Sequence, residues 1–132
     1  ETVAAKLNLE EGVPVIKLCR LRFADDDTAK RPAVLTTVYI PKVMCPQLLD
    51  TDFQTVSLYD TLESHGLSVT HVLREIEIRT AVPQISRHLM VEDFSLVFFI
   101  SSIGRITDGR VIEYSESYYP ADTSKFIVEI TR

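Results

Sequence analysis

Arg20 and Arg22, within the stretch Val15 to Phe23 (Val-Ile-Lys-Leu-Cys-Arg-Leu-Arg-Phe), are the residues whose types and spacing point most directly to chemistry. Side chains alternate faces along a strand, so both guanidinium groups project from one face about 7 Å apart, beside Ile16 and Leu18. Burying such a pair among aliphatic neighbours is costly unless an anion meets it, either a carboxylate of the protein or a bound ligand. Other polar groups could complete a binding constellation: the hydroxyl of Ser57 at a helix start, the phenols of Tyr59 and Tyr119, and the buried-looking carboxylate of Glu113. Glu113 could equally neutralise an arginine within the sheet. The residues alone leave the ion pair and the ligand site both open.

Other chemistries lack a pattern. His65, His71 and His88 are scattered without ligand spacing, so neither a metal site nor a cofactor is expected. Gly12, Gly66, Gly104 and Gly109 are too far apart to form a phosphate loop and each suits a turn or a strand kink. No nucleophile elbow or serine-histidine-acid order stands out, and no catalytic residue is assigned. Cys19 and Cys45 have unrelated surroundings and no secretion signal accompanies them, which points to free thiols.

Composition narrows the partners. Lys and Arg total 14 against 19 Asp and Glu, a net charge of −5, and no basic block offers a footprint for nucleic acid or an anionic membrane. With 45% apolar residues over 132 positions, the chain matches one domain with a real core. No apolar run approaches the roughly 18 residues of a membrane span, and Glu1 to Lys6 is neither a signal nor a transit peptide. A cytoplasmic protein is expected.

The elements that must position these groups follow from periodicity. Val3 to Leu9 has helical spacing and stops at Glu10-Glu11-Gly12; a helix starting at residue 1 without a cap suggests an excised fragment. Val13 to Phe23 is the first strand, residues 24–32 an exposed hairpin loop, and Val34 to Ile40 the returning strand closed by Pro41. Residues 42–56 are irregular, with a turn of helix at Gln47 to Leu49. Ser57 to Gly66 reads as a short helix with Ser57 as N-cap, Asp60 at the reciprocal position and Gly66 as terminator. Its free N–H groups would also suit an anion, with capping the preferred role of Ser57.

Ser68 to Thr80 is a long strand with Val72, Ile76 and Ile78 on one face and His71, Glu75, Glu77 and Arg79 on the other. Val82 to Met90 is a short amphipathic helix. Phe94 to Ile103, apolar on both faces, marks a central strand covered by the domain or by another subunit. Asp108-Gly109 signals a hairpin turn into Val111 to Tyr119, where Glu113, Ser115, Ser117 and Tyr119 form a polar row. The last strand is read at Lys125 to Ile130. No repeat or linker suggests a second domain.

Taken in order, Ala4 to Gly12, Arg20-Leu21-Arg22, Val38-Tyr39-Ile40-Pro41, Ser57-Leu58-Tyr59, Asp108-Gly109 and Ile112-Glu113-Tyr114 resemble the UTRA domain, the C-terminal effector-binding module of bacterial transcription regulators of the GntR superfamily, HutC subfamily. The likeness spans nearly all of residues 1–132. It implies an α+β, chorismate-lyase-like fold: a single, mostly antiparallel sheet of about six strands flanked by short helices. It also implies an effector site at Arg20, Arg22, Thr36, Ser57, Tyr59, Glu113 and Tyr119, with the arginines and the Ser-Leu-Tyr segment at the effector's anionic group.

The chain departs from the pattern at Thr36, where many relatives carry glutamate, and at Ser101 or Ser102, where an arginine is frequent. These departures argue against an amino sugar and keep a sugar phosphate or other small anion. The resemblance further implies a homodimer that meets DNA only through an N-terminal winged helix-turn-helix absent from this chain. Two other readings compete: a dimerisation module with a vestigial pocket, favoured if Glu113 or Glu116 neutralises the arginines, and a chorismate-lyase-like enzyme.

Overall fold

The protein is described by a computed structural model over residues 2–23, 32–50 and 57–131. Five strands form one antiparallel sheet in the order β1-β2-β5-β4-β3: β1 (Val15–Phe23), β2 (Pro32–Pro41), β3 (His71–Thr80), β4 (Leu96–Arg105) and β5 (Val111–Pro120). Three helices flank it: α1 (Thr2–Lys6), α2 (Leu58–Ser64) and α3 (Pro83–Leu89). The expected α+β class with a single antiparallel sheet is therefore observed.

The sixth strand expected at Lys125 to Ile130 is not part of the sheet. Those residues carry no regular secondary structure, although Phe126 returns to pack edge-on against Phe98 and Tyr119. Alternating apolar residues make a segment competent to be a strand, but a strand also needs a partner edge. The sheet's edges are β1 and β3, and neither pairs with it. The connection read over residues 24–31, and residues 51–56 of the irregular stretch, lie outside the described residues. Within 42–50 the chain makes 3-10 turns at Lys42–Met44 and Pro46–Asp50.

Local chemistry explains the elements that matter for the site. Pro14 delays β1 to Val15, and the pairing of Val15–Phe23 with β2 then runs in register to a shift at Arg22/Phe23. The hydroxyl of Ser57 accepts the Asp60 N–H at 3.4 Å, capping α2, and Gly66 closes that helix at φ +76°. Pro83 opens α3 at a position where no N–H is needed, and Met90 ends it in the left-handed conformation.

The two faces of the sheet are covered differently. On one, α2 and the 3-10 turns bury Leu58, Leu62, Cys45 and Leu48 against Val38, Ile40 and Ile112. Fully burying side chains such as Leu58 and Leu62 contributes about 1.5–3 kcal/mol each. On the other, α1 sets Leu7 against Val111 and Tyr114, while α3 sets Leu89 against Leu35, Ala81 and Val97. The two-sided apolar character of β4 is absorbed in this way. Val97, Phe99 and Ile100 are buried by the chain itself, with β3 and β5 as hydrogen-bonded neighbours, so no second subunit is needed to cover them. Apolar exposure falls instead on edge strand β3, at Val72, Leu73, Ile76 and Ile78.

Candidate functional site

Register converts the sequence pattern into a surface. Arg20 stands opposite Thr36, Thr36 opposite Ser117, Ser117 opposite Ile100, and Ile100 opposite Ile76, one row across all five strands. The next row on the same face runs Leu18, Val38, Ser115, Ser102 and Arg74. Beyond it lie Glu113, Gly104 and Val72, and on the far side Tyr119, Phe98 and Ile78. Directly opposed residues share a face. The expected polar row of β5 therefore faces the same way as Arg20 and Arg22, and this is also the face on which α2 sits.

Among the described residues, no acid neutralises the arginines. Among the described residues, neither makes an ion pair, and Nε of Arg20 is buried with no hydrogen-bond partner. Burial first, and then the adjacent charge of Arg22, lowers the Arg20 pKa from its ordinary value. An unpartnered donor on a charged group is costly, and an anionic ligand is the chemistry that would satisfy it. Thr36 spends its hydroxyl on Ser117 at 3.0 Å.

Glu113 has a different partner from either acid-arginine pairing considered from sequence. Its carboxylate is 2% exposed and accepts a 2.6 Å hydrogen bond from the phenol of Tyr59, carried over the sheet by α2. Burial raises the Glu113 pKa, opposed by the Tyr59 hydrogen bond and the charge of Arg74. The Tyr59 phenol is likewise pushed well above its usual range, by burial first and then by Glu113. Glu116 points to the opposite face and accepts from the Tyr114 hydroxyl at 2.7 Å.

Arg74 escaped the sequence reading, and so did the contact that Gly104, expected only as a turn or strand kink, makes with Glu113. Arg74 projects from β3 on the site face and donates through Nε to the Ser102 hydroxyl at 3.1 Å. The resemblance implies a cation near the end of β4 that is replaced at Ser101 or Ser102, and a guanidinium from the next strand lies beside Ser102. The available signal was an arginine set in an apolar row, as for Arg20. Gly104 stands opposite Glu113 at a register shift. A Cβ there would lie 2.8 Å from Cγ and 2.9 Å from Oε1 of Glu113, so only glycine leaves room for the carboxylate.

The remaining expected positions are accounted for individually. Ser57 is exposed, and its hydroxyl is engaged as the α2 cap that aims Tyr59. Tyr119 lies on the site face, with its ring 5.0 Å from that of Phe126. Cys19 and Cys45 are free thiols, the first exposed on the other face and the second buried. A separate recess of about 790 Å³ lies at another end of the sheet, between the start of β2, residues 89–96 and residues 120–124, and includes none of the expected site residues. Among the described residues, no helix is long and apolar enough to cross a membrane.

Comparison with known proteins agrees with this architecture. The chain is 25% identical over 129 residues to the HTH-type transcriptional regulator GgaR of Escherichia coli K12, covering 98% of this chain and 49% of that protein. An uncharacterized HTH-type transcriptional regulator of Rhizobium meliloti, RB1450, is 24% identical over 135 residues, covering 96% and 51%. The chain thus spans about half the length of these relatives. Among solved structures, the effector domain of PhnF from Mycobacterium smegmatis superposes with a TM-score of 0.90 at 23% identity, covering 100% of this chain and 79% of that one. A GntR-family transcriptional regulator from Enterococcus faecalis gives 0.85 at 25%, covering 96% and 88%. The fold is the chorismate-lyase-like one of these effector domains. The UTRA domain profile matches residues 1–125. The chain belongs to the UTRA domain family.

Proposed function

We propose that this chain is the effector-sensing domain of a cytoplasmic, GntR-family bacterial transcription regulator of the HutC subfamily. It binds a small anionic metabolite, a phosphorylated sugar in the first instance, at Arg20 and Arg22. Thr36, Tyr59, Glu113 and Tyr119 line the remainder of the site, and Ser57 positions Tyr59. The observation that carries this reading is the buried Arg20 Nε without a partner, on a sheet face where Glu113 is committed to Tyr59. A vestigial pocket would have closed by pairing the arginines with Glu113 or Glu116. Both carboxylates are engaged elsewhere.

In this reading the role is binding: along the described strands the face offers arginines, hydroxyls and one carboxylate. Regulation follows from linkage. An effector alters operator affinity only by distinguishing two arrangements of the regulator. In this reading two copies of the domain associate and set the spacing of N-terminal winged helix-turn-helix domains, which carry the DNA contact that this acidic chain lacks. The exposed apolar residues of β3 and its open backbone edge support such an association.

Thermal-shift screening of the chain against sugar phosphates, with an Arg20→Ala/Arg22→Ala double variant as control, tests the assignment. Stabilisation confined to the wild-type chain is expected. Stabilisation that survives in the double variant would sink it.

A further inference from the structure

The sheet face that carries Arg20 and Arg22 carries a third guanidinium, and among the described residues it is not spent on a carboxylate. Arg74 lies four interstrand spacings from Arg20, about 19 Å between backbones, so the two approach the face from opposite edges. Its Nε is held by the buried Ser102 hydroxyl at 3.1 Å, which fixes the plane of the group. Its charge bears on Glu113 and Tyr59 and its guanidinium also reaches the Tyr59 phenol as a hydrogen-bond donor, yet among the described residues no ion pair joins Arg74 to Glu113. Along the described strands this face holds Arg20, Arg22 and Arg74 against the single carboxylate of Glu113. Thr36 and Ser102, between the cations, are uncharged, and Thr36 is already bonded to Ser117. A ligand with one acidic group would leave one end of this field unmet.

We propose that Arg74 is a specificity-determining residue of the effector site, a second anchor selecting a metabolite with two acidic groups: a phosphate at Arg20 and Arg22 and a carboxylate at Arg74 and Ser102. The inference rests on the effector site proposed above. A planar guanidinium fixed through Nε keeps its terminal N–H groups on one edge as a fork, the geometry that a carboxylate accepts through both oxygens, and such a ligand would take over the contact now made to the Tyr59 phenol. Ser102 contributes orientation and no competing charge.

Calorimetric titration of the whole chain with matched probes tests this: 6-phosphogluconate against glucose 6-phosphate, and 3-phosphoglycerate against glycerol 3-phosphate. The wild-type chain is expected to bind at least one diacid roughly ten- to a hundredfold more tightly than its monoacid partner, the range of one charge-assisted hydrogen-bonded contact. Arg74→Gln is expected to cost the diacid far more affinity than the monoacid and so to erase that preference. Arg74→Lys, which keeps the charge and loses the fork, retains part of the preference. Equal affinity within both pairs, no binding by either diacid, or an equal loss for both ligands in Arg74→Gln would each overturn the role of Arg74. Binding undiminished in Arg20→Ala/Arg22→Ala overturns the underlying site instead, so the two failures are distinguishable.

Discussion

The phenol of Tyr59 donates a 2.6 Å hydrogen bond to Oε1 of Glu113, joining helix α2 to β5 across 54 residues of sequence. Glu113 is almost wholly buried and Tyr59 is nearly half exposed, so the bond holds a costly carboxylate from the solvent side. It also fixes where α2 sits over the arginine face. An effector that displaces Tyr59 or draws on its hydroxyl would thereby act on the position of a helix.

Removing that donor should cost stability in a pH-dependent way. Tyr59→Phe leaves a buried carboxylate without its partner and is expected to destabilise the chain by about 1–3 kcal/mol at pH 8, measured by urea unfolding. The Tyr59 hydrogen bond favours ionised Glu113, so the deficit should shrink as pH falls through the raised Glu113 pKa. A deficit independent of pH would mean that the hydroxyl does not serve the carboxylate.

Glu113 itself should oppose stability at high pH. Its folded pKa is raised, so the folded state binds more protons than the unfolded one between the two pKa values. Its contribution is fully present below the ordinary glutamate pKa and is lost as pH rises through the raised value. Glu113→Gln removes the titration, and the difference in unfolding free energy, variant minus wild type, should become more positive from pH 4 to pH 8. A flat difference would show that burial of the charge is not costly here.

Gly104→Ala should disturb Glu113 from the neighbouring strand. Its Cβ would meet Glu113 at 2.8 Å, and overpacking of this kind costs about 1–3 kcal/mol. Because the cost arises from one contact, Gly104→Ala combined with Glu113→Ala should be less destabilised than the sum of the two single variants. Strict additivity in a denaturation cycle would place the strain elsewhere.

What the sequence made legible follows from which interactions are local. The strand at Val15–Phe23, the polar row from Glu113 to Tyr119 and the Ser57 cap are each encoded within a few residues, and the structure reproduces them. Lys125 to Ile130 has an alternating pattern too, but strand formation depends on a distant edge, and neither β1 nor β3 takes it up. Arg74 was masked by the charges of Glu75, Glu77 and Arg79, which read as a solvent face although Arg74 points the other way. The role of Gly104 exists only in the cross-strand register that seats Glu113 against it, which no local pattern records.

The most direct test is a crystal structure of the chain grown with a sugar phosphate that stabilises it in the thermal-shift screen. The expected result is a phosphate oxygen within about 3 Å of Arg20 Nε, with Arg22 at the same group and Tyr59 and Glu113 on the sugar side. Density for the phosphate elsewhere, as in the recess beside Leu89–Leu96 and Pro120–Ser124, with Arg20 Nε still unpartnered, would contradict the assignment.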